Sequence, residues 1–295
     1  QKKEKQRKLL LLLPLEPLSE ETEGQAVLSQ QAKTSPYQEP QKKISFSELK
    51  IWTECAFKHK LAYIDGLKHF SGNEYTAFGT AVHYVCETLV FNKNLDTSEV
   101  FRKKFIEEIK ALDDVNSLNK KLILDMKDQG TELFEDILPK LEESFPGYEV
   151  VSVEEPIFEE IREFDTDVNF KGFIDLVLKT PDGRYHVIDW KTCSWGWDAR
   201  RKNEKMTVYQ LSFYKNYFGK KYNIDEDKID THFALLKRTA KKNRVEIFKV
   251  SNGKRRINNA LELLNLALTH IKSKNYIKNR LSCNRCEFYN TPHCT

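Results

Sequence analysis

The chain has 295 residues, 40% of them hydrophobic and 31% charged, with a formal net charge of +4. That length can bury one sizeable core or two small ones, and no apolar run approaches the roughly 20 residues of a membrane helix, so no membrane partner is expected. The mild charge names no partner by itself. Six cysteines in so long a chain are not a disulfide scaffold, and an intracellular, reducing compartment is the expected setting.

Residues 1–43 mix Lys, Glu, Gln, Ser and Pro with little periodicity and read as a disordered tail. The run Leu9 to Leu13 follows a basic start, but Pro14 and Glu16 cut it short and no small-residue cleavage site follows, so no targeting segment is expected. From residue 44 the pattern changes. In "ISFSELKIWTECAFKHK", Ser45 and Glu48 form a capping-box pattern, and Phe46, Leu49, Trp52 and Ala56 recur at helical spacing, which predicts a helix carrying Cys55. A second helix is predicted near "YTAFGTAVHYVCETLVFN", with His83 and Glu87 one turn apart. Residues 88–148 read as a helical insertion of two amphipathic stretches, one with Phe101, Phe105, Ile109 and Leu112, the other with Leu122, Met126, Leu133, Ile137 and Leu141.

The period then becomes two. "YEVVSVEEPIFEEIREF", "VNFKGFIDLVLK" and "GRYHVIDWKT" read as strands. "EKMTVYQLSFYKNYFG" reads as a helix ending at Gly219. "IDTHFALLKR" and "RVEIFKVS" are late strands around a basic turn, and "INNALELLNLALTHIKS" is a last helix. This order predicts an α/β fold, a mixed sheet flanked by helices.

Three charges interrupt the central hairpin. "TPDGR" fits a three-residue loop with Gly183 in a left-handed bulge position, which sets Thr180 opposite Arg184 and hence Asp175 opposite Asp189. Their Cβ atoms would then lie roughly 5 Å apart. Lys191, two residues beyond Asp189, points to the same face. Facing carboxylates repel unless a proton or cation holds them, and a hard divalent ion such as Mg²⁺ or Mn²⁺ prefers such oxygen ligands. The alternative is a solvated hairpin face on which Lys191 only pairs with its neighbours.

An acidic residue on one strand, D-x-K on the next and Q-x-x-x-Y on a helix resemble the PD-(D/E)XK nuclease superfamily in its RecB-like branch. The pieces are "GFID" ending at Asp175, "IDWK" with Asp189 and Lys191, and "QLSFY" with Gln210 and Tyr214; "GTAVH", with Gly79 and His83, resembles the branch's upstream metal-binding helix. The resemblance implies a restriction-endonuclease-like fold over residues 44–295. It also implies a metal held by His83, Asp175, Asp189 and the backbone carbonyl of Trp190, with Lys191, Gln210 and Tyr214 as catalytic partners.

Cys55 and the C-x2-C-x7-C trio Cys283, Cys286 and Cys294 resemble the iron-sulfur members of this branch, which include AddB, eukaryotic exonuclease V and CRISPR-associated adaptation nucleases. There one cysteine before the core and three in a C-terminal segment, here residues 283–295, hold a [4Fe-4S] cluster. Zinc is the rival ligand, though zinc modules usually bring two local cysteine pairs. Cys86 and Cys193 read as plain thiols. Between Lys237 and Arg256 stand nine Lys or Arg, including Lys237, Arg238, Lys241, Lys242 and Arg244, against the single acid Glu246; Arg200 and Arg201 form a second cluster. Beside a metal site such a run suits DNA phosphates. Trp195 and Trp197 suit either base stacking or the core.

The expectation is therefore a divalent-metal-dependent deoxyribonuclease, an exonuclease on single strands or free ends in repair, recombination or replication. The alternatives are a structure-specific or nicking endonuclease and an inactive DNA-binding module of a recombination complex. No helicase P-loop is present in the sequence, so unwinding would need a helicase partner.

Overall fold

The computed structural model describes residues 42–67, 72–114 and 117–295. The proposed tail lies outside these residues except at its end, where Lys43 already pairs with Asn169 in the sheet. In chain order the elements are β1 (Lys43–Ser45), α1 (Phe46–Glu54), α2 (Ala56–His59), α3 (Glu74–Leu89), α4 (Thr97–Lys110), α5 (Lys120–Thr131), α6 (Ile137–Ser144), β2 (Glu149–Glu160), β3 (Asn169–Lys179), β4 (Tyr185–Cys193), α7 (Ala199–Lys202), α8 (Lys205–Tyr222), β5 (Ile229–Lys237), β6 (Val245–Val250) and α9 (Lys254–Lys272). A π-helical turn, Lys60–Ile64, follows α2, and a 3-10 turn, Arg280–Arg285, precedes the C-terminus. Among the described residues no helix is long and apolar enough to cross a membrane.

The six strands form one mixed sheet in the order β1-β3-β4-β5-β6, with β2 along the other edge of β3. One face packs on α1, α8 and α9 through Leu49, Phe170, Phe213, Tyr217, Phe233 and Leu264. The other carries α3 to α6 through Phe78, Val82, Phe101, Met126, Leu141 and Trp190. This is the mixed α/β sheet flanked by helices that the element order predicts.

Four local expectations are corrected. Cys55 does not sit on a helix; its backbone is extended, closing α1 and capping α2. Of the capping box, Ser45 accepts from the Glu48 N–H, while the Glu48 carboxylate instead meets His59 Nε2 at 2.9 Å. The helix expected to end at Gly219 runs to Tyr222, and the left-handed cap is Asn223 at φ 53°. Ile224 N–H then reaches back to the Gly219 carbonyl at 2.8 Å, a bond of the Schellman kind. The second amphipathic stretch is two helices, α5 and α6, because the chain turns between Glu132 and Asp136.

Candidate active site

The hairpin turn forms as its residues dictate. Gly183 N–H donates to the Thr180 carbonyl at 2.8 Å, Gly183 takes φ 81°, and Thr180 N–H meets the Arg184 carbonyl at 3.0 Å. The ladder that follows pairs Lys179 with Tyr185 and proceeds to Leu176 with Ile188. There it stops, one step short of Asp175 and Asp189. Further along β3, β1 pairs at Asn169 to Lys171, while β2 covers the opposite edge throughout. Residues 172–175 therefore border a gap in the sheet between β1 and β4.

Side chains take over where the ladder ends. Asp175 Oδ2 accepts the Trp190 N–H at 2.8 Å, occupying the place of a β3 carbonyl. The N–H and C=O of one strand residue point the same way, so the Trp190 carbonyl faces this gap too. From α3, His83 Nδ1 stands 3.6 Å from Asp175 Oδ1, with its side chain 29% exposed. On the α8 side, Lys191 Nζ lies 2.6 Å from Asp189 Oδ2 and donates to Gln210 Oε1 at 3.1 Å. Gln210 Nε2 donates in turn to the Tyr214 hydroxyl at 3.1 Å. Gly172 makes room for that ring, because a Cβ there would stand 3.0 Å from Tyr214 Cε1.

The two carboxylates have unequal environments. Asp175 is 9% exposed and Asp189 1%. Burial disfavours ionisation of Asp175, but the charge and hydrogen bond of His83, Lys191 and the Trp190 N–H outweigh it and hold its pKa below the usual range. Asp189 is pushed up to about 6, first by burial and then by the Asp175 charge, against the pull of Lys191. Its Oδ2 is buried without a directed hydrogen bond, so Lys191 meets it as a charge contact. Burial works against a charged His83, yet Asp175 beside it raises its pKa above the ordinary histidine value. Burial, then Asp189, keeps the Tyr214 phenol protonated.

Glu154 was not singled out in the sequence. It falls between the pairs Val153–Leu176 and Glu155–Ile174, opposite Asp175, and takes φ 50°. A non-glycine residue in the left-handed region is strained, and its charge acts on the Tyr214 phenol. A second acid in "VEEP" was the only signal available, and it does not reveal a left-handed backbone.

Among the described residues no three His, Cys, Asp or Glu side chains form a group that could hold a metal as they stand. The donor set nevertheless fits a hard divalent ion. Asp175, Asp189 and the Trp190 carbonyl offer oxygens, His83 a nitrogen, and the buried Asp189 Oδ2 lacks the hydrogen bond that would otherwise satisfy it.

The four cysteines singled out by spacing line one cavity of about 290 Å³. Cys55 Sγ accepts the N–H of Lys58 at 3.5 Å and of Asn279 at 3.3 Å. Asn279 Nδ2 donates to the Glu54 carbonyl at 2.9 Å and Lys58 bridges Glu54 and Glu287, which clasps the C-terminal segment to α1 and α2. Burial raises the Cys286 thiol. Cys86 is fully buried in the core and Cys193 half-buried.

Much of the basic run is already engaged. Lys237 pairs with Glu246, Arg244 with Glu132 and Lys249 with Asp230, and Arg238 bonds Gln129 and Ser194. Lys241 and Lys242 are exposed on the β5–β6 turn, and Arg200 and Arg201 are exposed on α7. Trp197 is buried against Phe233, with Arg201 over its ring, whereas Trp195 is 77% exposed.

The sequence profile of the PD-(D/E)XK nuclease superfamily matches residues 43–291. The chain belongs to this superfamily. No curated protein matches it. Among solved structures it resembles a protein from Eubacterium rectale described as a "putative exonuclease", at 12% identity and a TM-score of 0.55, covering 85% of this chain and 89% of that one. That likeness shows the fold. A second structure, SSO0001, aligns at 15% identity over 84% of this chain and 96% of its own, but its TM-score of 0.35 carries no argument. Members of this superfamily are nucleases that typically use divalent metals such as Mg²⁺ or Mn²⁺.

Proposed function

We propose that this chain is a divalent-metal-dependent deoxyribonuclease that cuts phosphodiester bonds at the open end of the β3–β4 hairpin, acting as an exonuclease on single strands or free ends. The observation that carries this reading is the burial of Asp175 and Asp189 together where the ladder stops, with one lysine beside them. A fold without a ligand to bind gains nothing from such a conflict.

His83, Asp175, Asp189 and the Trp190 carbonyl would hold the metal. When bound it supplies an activated water and stabilises negative charge on the phosphate. Asp175 holds the end of β4 in place through the Trp190 N–H while keeping its other oxygen toward His83. Lys191, tethered by Gln210 and with Tyr214 behind it, directs its charge at the phosphate or orients the attacking water. Asp189, 2.6 Å from Lys191 Nζ, keeps that positive charge beside the place where the phosphate would sit.

A [4Fe-4S] cluster on Cys55, Cys283, Cys286 and Cys294 completes the reading, with zinc as the alternative. The shared cavity and the two N–H groups on Cys55 Sγ favour thiolate ligands at this place. A centre there would tie the entry helices to the C-terminal segment, a structural task distinct from hydrolysis. The setting is intracellular, in repair, recombination or replication beside a helicase or recombination partner.

The test is cleavage of end-labelled and circular single-stranded DNA with Mg²⁺, with Mn²⁺ and with EDTA. Metal-dependent loss of the linear strand alone supports the exonuclease, cutting of the circle makes it an endonuclease, and no cleavage of either overturns the reading. Protein purified without oxygen should be brown with close to four irons, a count set by the [4Fe-4S] cluster. Stoichiometric zinc without visible absorption would reverse the cofactor assignment.

A further inference from the structure

Apart from the hairpin site and the cysteine cavity, a groove of about 1010 Å³ lies between the N-terminal turns of α8 and α9. Its walls carry Lys205, Lys254, Arg255 and Arg256 against one acid, Glu262, and the buried Tyr209 forms part of its floor. Lys254 and Arg255 are exposed. None of these four cations is ion-paired with a carboxylate among the described residues; Arg256 bonds the Ser251 carbonyl and Lys205 lies over the Tyr209 ring at 5.4 Å. The contrast with Lys237, Arg244 and Lys249 of the same run is direct, since those charges are each spent on an acid. Gly253 stands at the start of α9 with no side-chain cap, so no side-chain oxygen competes for that end of the groove.

The groove also adjoins the proposed catalytic centre through one helix. Tyr209 on its floor is followed in α8 by Gln210, which holds Lys191. Consecutive helix residues rise about 1.5 Å and point about 100° apart, so groove and centre flank one helix about 10 Å across. Uncompensated cations cost little in water but gain strongly from a polyanion whose counterions they release.

We infer that this groove is a second binding site for the sugar-phosphate backbone of nucleic acid, gripping the strand away from the bond to be cut. The inference rests on the nuclease reading. It predicts that affinity grows with strand length beyond what the catalytic centre spans. A groove of this kind covers about 4 to 16 nucleotides.

The test is fluorescence anisotropy in EDTA with single-stranded oligodeoxythymidylates of about 6 and about 30 nucleotides, using wild type, Lys254→Glu/Arg255→Glu and the milder Lys254→Gln/Arg255→Gln. Both pairs replace exposed side chains with no ion pair to lose, and circular dichroism checks the fold. The charge reversal should raise Kd for the longer strand about tenfold and for the shorter one at most about twofold, and should lower the salt slope by roughly 0.7 for each lost phosphate contact. The Gln pair should fall between. Unchanged affinity for the longer strand, in a protein whose wild type cleaves DNA, overturns the groove and leaves the nuclease standing. Loss of binding to a polyglutamate peptide without loss of DNA binding assigns the groove to an acidic protein partner and overturns the inference. Wild-type protein that neither binds nor cleaves DNA overturns both.

Discussion

At the turn end of the β3–β4 hairpin, Asp230 on β5 receives both Nε and Nη2 of Arg184 at 2.9 Å and Lys249 Nζ at 2.8 Å. At the open end, Asp189 is more deeply buried and faces another carboxylate, with Lys191 as its direct ion-pair contact. The turn end closes its polar account within the protein: His186 bridges Thr180 and His232, and Phe145 packs on both imidazoles. At the open end Asp189 Oδ2 is buried with Lys191 as its charge contact and no directed hydrogen bond. The two ends of one hairpin thus differ in how their buried acids are compensated, and on the proposed reading the open end is the one that binds.

The largest expected effect is at the open end. Asp189→Ala or Lys191→Ala should lower DNA hydrolysis by about 10³-fold or more in single-turnover assays, with thermal melting in EDTA unchanged or raised. Substantial turnover in both variants would break the comparison by removing the binding role. Asp230→Ala should do the reverse, costing about 2 kcal/mol in urea unfolding because Arg184 and Lys249 lose their shared acid, while hydrolysis per folded molecule persists.

The two ends should also titrate with opposite sign. Burial, and the His186 charge, depress His232 to about 3, with Asp230 pulling the other way and Lys249 adding to the depression. Burial likewise lowers His186. Between pH 6.5, the ordinary histidine value, and about 3 the unfolded chain binds protons that the fold refuses, so this contribution is complete above 6.5 and lost as pH falls. Asp230, held low by Arg184 and Lys249 against its burial, extends the loss to still lower pH. Asp189 runs the other way: its contribution is present below the ordinary carboxylate value and lost as pH rises through about 6. Unfolding in EDTA across this range should show His232→Gln flattening the acid limb and Asp189→Asn flattening the opposing slope. A common sign in both variants would contradict the contrast.

The smallest effect is expected at Glu154. Replacement by Gly, which tolerates φ 50°, should raise stability by up to about 1 kcal/mol. A loss of stability would mean that the Glu154 side chain, rather than its backbone, anchors the strand beside Asp175.

The hairpin was legible because Thr180 to Arg184 encode their own turn, and a turn fixes every facing pair along two strands. The place where the ladder stops was not, because it depends on β1, which is more than a hundred residues away in sequence, sharing the edge of β3 with β4. The same reason hid the neutralisation of the basic run: Glu132 and Asp230 are remote in sequence from Arg244 and Lys249. Cys55 was misplaced because the pattern through Ala56 continues at helical spacing across a break that Asn279 and Ile277, from the far end of the chain, help to hold. Gly219 lies inside its helix because Asn223 supplies the left-handed cap just as well.

The most direct measurement is single-turnover cleavage of an end-labelled DNA strand by wild type and Asp189→Asn, alongside calorimetric titration of each with Mn²⁺. Wild type should bind the ion and cut, with both lost on addition of EDTA, and the variant should fold equally well while losing metal affinity and cleavage together. Cleavage that survives in Asp189→Asn, or metal binding unaffected by it, would contradict the assignment of the open hairpin end as the metal-dependent site.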